Sequence, residues 1–77
     1  MSNINDNPIT SDSQNRQIFA YLKEGNRITS MDALYLFNCF RLASRISDLR
    51  RMHPEADIKK VTISTASGKR VAQYYML

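Results

Sequence analysis

Apolar residues return every three or four positions through the first two-thirds of the chain, and then the period changes to two. In the first periodic stretch Ile18, Tyr21 and Leu22 fall at i, i+3 and i+4, the spacing of one helix face. Ser11, Asp12 or Ser13 can cap its start, and Gly25 can end it by accepting a left-handed conformation. The pattern predicts a helix over residues 14–24. Asn26-Arg27-Ile28 leaves room for a very short strand. Thr29 or Ser30 can cap a second helix of about two turns, with Asp32 placed against the positive end of its dipole. Met31, Leu34 and Tyr35 share a face of that helix, widened by Phe37. Asn38 tolerates a left-handed turn, so the chain is expected to reverse at residues 37–39. A third helix follows over residues 40–51. At about 100° per residue, Leu42, Ile46 and Leu49 lie within about 60° of one another, with Ala43 beside them.

Pro54 pushes His53 out of helical geometry and stops this helix. Two runs rich in β-branched and aromatic residues come next, IKKVTIST (58–65) and KRVAQYYML (69–77). Ala66-Ser67-Gly68 separates them at hairpin spacing, with glycine at the left-handed position. Residues 1–13 are poor in large apolar side chains, cannot offset the entropy of ordering, and are expected to form a flexible tail. The expected fold is therefore mostly α with a C-terminal β-hairpin, one domain over residues 14–77. A chain of 77 residues has room for one core and no more.

Composition changes this picture little, and charge changes it more. With 43% hydrophobic and 23% charged residues the chain reads as an ordinary globular protein. The longest apolar run, ALYLF (33–37), is far short of the roughly 20 residues of a membrane-spanning helix, which points to a soluble protein. Cys39 is the sole cysteine, so no intrachain disulfide can form. No signal-peptide pattern opens the chain, and a reducing cytoplasm is the expected compartment. The net charge is +4 and the isoelectric point 9.6. Residues 1–26 carry a net −1, residues 27–52 a net +3 and residues 53–77 a net +2. Such an uneven distribution suits a polyanionic partner, although basic residues also solubilise any surface.

Enzyme chemistry lacks its parts. His53 is the single histidine and sits beside a proline, so metal clusters and Ser-His-Asp relays lack members. A histidine so placed is ordinarily a surface residue. Cys39 lies on the apolar side of its helix and is expected in the core rather than as a nucleophile. Gly25 and Gly68 are too far apart for a phosphate loop, and no spacing singles out a carboxylate pair. No enzyme activity, cofactor, metal or small-molecule substrate is expected.

What remains is two short helices joined by a tight turn, the second basic on its outer side: the layout of a helix-turn-helix, made winged by the following hairpin. Arg41, Ser44, Ser47, Asp48 and Arg51 occupy the polar side of the third helix, with Arg45 on its flank and Arg50 nearer the core edge. Arginine forks can pair with guanine edges in the major groove while other cations hold phosphates. Arg41, Ser44 and Arg45, in the first turns, are the expected base-facing residues, projecting together and unobstructed. Asp48 belongs to the same face, and Arg51 is placed to meet a phosphate. Lys69 and Arg70, beside the hairpin turn, are candidate backbone or minor-groove contacts.

The segment ITSMDALYLFNCFRLASRISDLRR (28–51), followed by a hairpin ending in SGKRVAQYYML, resembles a family of small helix-turn-helix proteins, winged in several members, that are common in phages and prophages. The resemblance implies DNA binding, usually as a transcriptional regulator in a bacterial host. Relatives tend to carry glycine in the turn between the helices, where this chain has Asn38, and the MHPEAD segment (52–57) is longer than theirs. A three-residue turn would bury positions 44 and 47, both serines, whereas apolar Ile46 and Leu49 imply a longer one. The expectation is a sequence-selective binder of double-stranded DNA, dimeric because two half-sites multiply specificity. The alternative is a phage-type interaction module docking on an acidic host protein, with Phe40 as an aromatic anchor. Single-stranded nucleic acid is a weaker reading, because Tyr74 and Tyr75 point to opposite faces of one strand.

Overall fold

The computed structural model describes residues 11–76, in the order α1 (Ser11–Lys23), β1 (Ile28–Thr29), α2 (Ser30–Phe37), α3 (Leu42–Met52), β2 (Ile58–Ser64) and β3 (Arg70–Met76). The tail expected over residues 1–13 lies outside the described residues for positions 1–10, while positions 11–13 are already helical. The strands form one antiparallel sheet in the order β1-β3-β2. β2 and β3 pair along their full length, from Ile58 opposite Met76 to Ser64 opposite Arg70. β1 adds two pairs on the other edge, Ile28 with Tyr74 and Thr29 with Gln73.

Local chemistry explains each break. Gly25 (φ 93°) ends α1 in a left-handed conformation, its N–H bonded to the Leu22 carbonyl at 3.0 Å. Thr29 caps α2 through its hydroxyl, which accepts from the Asp32 N–H, while the Asp32 carboxylate accepts from the Thr29 N–H at 2.9 Å. Asn38 takes the left-handed conformation (φ 55°), its N–H bonded to the Leu34 carbonyl at 3.0 Å. Gly68 (φ 90°) closes the hairpin turn, where the Thr65 N–H donates to the Lys69 carbonyl at 2.7 Å.

The core draws on every element: Ile18 and Leu22, Ile28, Ala33, Leu42, Ile46 and Leu49, Ile58 and Tyr74, with Cys39 from the turn, all buried. Two sequence expectations are corrected. Ala33 and Phe37 supply the inner stripe of α2, and Met31, Leu34 and Tyr35 lie on its outer side, with Tyr35 89% exposed. The eight-residue helix meets the core through a narrow edge, Ala33 and Phe37. Ala43, expected beside the core, is exposed.

Candidate nucleic-acid interface

α3 begins at Leu42 rather than at residue 40, because Arg41 (φ −130°, ψ 66°) stands outside helical geometry as the N-cap. The left-handed Asn38 swings Cys39 into the core, and residues 40 and 41 carry the chain back out before the apolar stripe of α3 can engage. The connection thus spans residues 38–41, longer than three residues, as the positions of Ile46 and Leu49 require. The Arg41 side chain makes no cap bond; its carbonyl accepts from the Ser44 and Arg45 N–H groups at 3.1 and 3.2 Å.

At about 100° per residue, Ser47, Arg51 and Ser44 share the side of α3 opposite Leu42, Ile46 and Leu49, with Ala43 at its edge. Ala43, Ser47 and Arg51 are exposed and Ser44 half-buried. Arg45 sits differently from the sequence expectation. Its side chain is 16% exposed and its guanidinium meets the Asp48 carboxylate at 3.2 Å, so it does not project unobstructed beside Arg41. The cause is its angle: position 45 lies closer to Leu49 than to Ser47 around the helix, on the flank that faces α1.

Asp48 is the centre of this flank. One carboxylate oxygen accepts from Arg51 at 2.9 Å; the other accepts from the Asn15 amide at 3.4 Å and forms an ion pair with Arg45 at 3.2 Å. The Arg51 hydrogen bond, helped by Asn15 and by the charge of Arg45, holds the Asp48 carboxyl below the usual carboxylate range against the opposing effect of desolvation. Arg51 is nevertheless 71% exposed and can reach outward. Arg50 bends back instead: it donates to the Ile58 carbonyl at 2.9 Å and lies 6.0 Å from the Tyr74 ring, fastening α3 to the start of β2.

Two α1 residues absent from the sequence-based set hold the interface in place. Gln14 donates to the Asn38 carbonyl at 3.2 Å, bracing the turn, and Asn15, 3% exposed, reaches Asp48. Their signal is legible in hindsight: Gln14 and Asn15 stand four and three residues before Ile18, continuing the buried stripe with amides that need partners. At the far end of α3, His53 stacks on Phe19 at 4.1 Å and Lys23 covers the same ring at 5.0 Å, so the histidine seals the seam between α1 and α3. Lys69 and Arg70 are both exposed beside the hairpin turn. Tyr74 is buried, while Tyr75 on the opposite sheet face is covered by the Arg27 guanidinium at 4.1 Å, which leaves no open aromatic platform on that strand. Among the described residues no helix is long and apolar enough to cross a membrane.

No curated protein and no solved structure matches the chain. A family model described as a winged helix-turn-helix domain matches residues 13–77, which takes in α1 but for its first two residues, the two-helix unit with its four-residue turn, and the hairpin as wing. On that match and on this arrangement of helices and strands, the chain belongs to the winged helix-turn-helix domain family, a DNA-binding family.

Proposed function

We propose that this protein binds double-stranded DNA sequence-selectively as a transcriptional regulator of a phage or mobile element, without catalytic chemistry, in the cytoplasm of a bacterial host. In this reading α3 lies in the major groove, a homodimer reads two half-sites, and the hairpin tip sits on the DNA backbone. The observation that carries it is the outer side of α3. Exposed Arg41 and Arg51 stand at its two ends, and Ala43, Ser44 and Ser47 between them are small enough for the helix to approach base edges closely. The positive end of the helix dipole, with no acidic residue in the first turn, adds to the attraction.

Selection from random duplexes followed by anisotropy titration tests it. Arg41→Ala is expected to weaken the selected site by about tenfold and to relax preference at one position, as loss of a base contact worth about 1–3 kcal/mol would do. Lys69→Ala with Arg70→Ala is expected to weaken all duplexes alike and to reduce the salt slope by about 1–2. Equal affinity of wild type and Arg41→Ala for the selected site would remove α3 from the groove.

A second reading, docking on an acidic host protein, is favoured by the same exposed arginines of α3 with Phe40, 79% exposed, next to Arg41. Retention of a stoichiometric partner from nuclease-treated host lysate, together with absence of duplex binding, would select it.

A further inference from the structure

Phe40 is 79% exposed, immediately before the N-cap of α3. The chain has three phenylalanines, and the other two have ring partners: Phe19 stacks on His53, and Phe37 meets Tyr21 edge-on at 5.5 Å. Among the described residues no ring packs on Phe40. Nor does it serve the helix start. An apolar residue before an N-cap ordinarily packs on the fourth helical residue, but here that position is Arg45, turned toward Asp48. Phe40 thus stands exposed at the N-terminal end of α3 with no ring partner among the described residues and no apolar residue at the staple position. Ala43, exposed in the first turn of α3, adds a second small apolar group to the same end.

Phenylalanine and alanine are among the side chains that make apolar contact with the 5-methyl group of thymine, which projects into the major groove. We propose that Phe40, with Ala43 beside the same helix end, is a specificity residue that reads a thymine methyl next to the base contacted by Arg41. This rests on the duplex-binding reading above and assigns a chemistry that arginine cannot supply. The aromatic face selects a methylated pyrimidine, while the guanidinium selects an acceptor edge.

The test replaces each thymine of the wild-type selected site in turn by deoxyuridine, which keeps every hydrogen-bonding group and removes only the methyl. Wild type is expected to lose about fourfold in affinity at one position per half-site, the worth of one buried carbon. Phe40→Ala is expected to bind the thymine duplex several-fold more weakly and to be indifferent to uracil at that position. Phe40→Leu should keep the sensitivity in part. Exposed as it is, the side chain can be truncated without loss of the fold, which thermal unfolding of each variant checks. If wild type binds the site but no thymine responds, if Phe40→Ala responds as wild type does, or if the selected half-site contains no thymine, the inference is overturned and duplex binding stands. If wild type selects no duplex at all, both fall together.

Discussion

Asp48 shows how one acidic side chain can regulate a basic surface. It accepts from Arg51 and Asn15 and pairs with the charge of Arg45 at once, so it both restrains two cations and anchors α3 to α1. Asp48→Asn is expected to release both guanidinium groups, tightening non-specific duplex binding about threefold to tenfold at low salt and steepening the salt slope by up to about 1. The same substitution has a pH signature. The folded carboxyl titrates below its ordinary range, so its stabilising effect is fully present above the ordinary pKa and is lost as pH falls through the folded value. The melting-temperature gap between wild type and Asp48→Asn should hold constant above about pH 5 and close on acidification below about pH 4. Sequence spacing placed Ser44 and Arg51 on the polar side, where they are found, and Asp48 beside them, where it turns to the flank against α1. It could not place Arg45, because a residue on the flank of a helix wheel is oriented by the neighbouring element, and α1 supplies that neighbour.

At the level of elements, the left-handed Asn38 sets where α3 can begin. Asn38→Ala should cost about 1–2 kcal/mol, since an alanine there meets the steric penalty of the left-handed region, whereas Asn38→Gly should leave stability within a few tenths. Urea unfolding midpoints distinguish the two. Three helices and the hairpin were legible from periodicity and turn residues, while the connection after α1 only left room for a very short strand, which is found at Ile28–Thr29. Gly25, Asn38 and Gly68 each adopt the positive φ that their type foretold. The inner face of α2 was not legible, because its sequence SMDALYLF is apolar over more than half its circumference. A helix that greasy offers two candidate faces, and only the packing of Ala33 and Phe37 against the rest selects one. The start of α3 was displaced for a related reason: periodicity alone does not distinguish Phe40 in a helix from Phe40 in the turn leading to it.

For the whole molecule, a core built from one to three residues of every element leaves a thin margin, about 4–12 kcal/mol for a chain of this size. Ile46→Ala should cost about 2–5 kcal/mol and bring the protein close to unfolding at 37 °C, while Ile46→Val should cost about 0.5–1.5. Thermal melts of the two variants, with duplex binding measured on each, would separate loss of fold from loss of contact. One residue serves the sheet and a helix at once. Thr29 pairs with Gln73 in the sheet and, in the same conformation, supplies the hydroxyl that opens α2. A tilt of the wing therefore disturbs the start of α2, and the span from hairpin tip to α3 is a ruler whose length the fold itself sets.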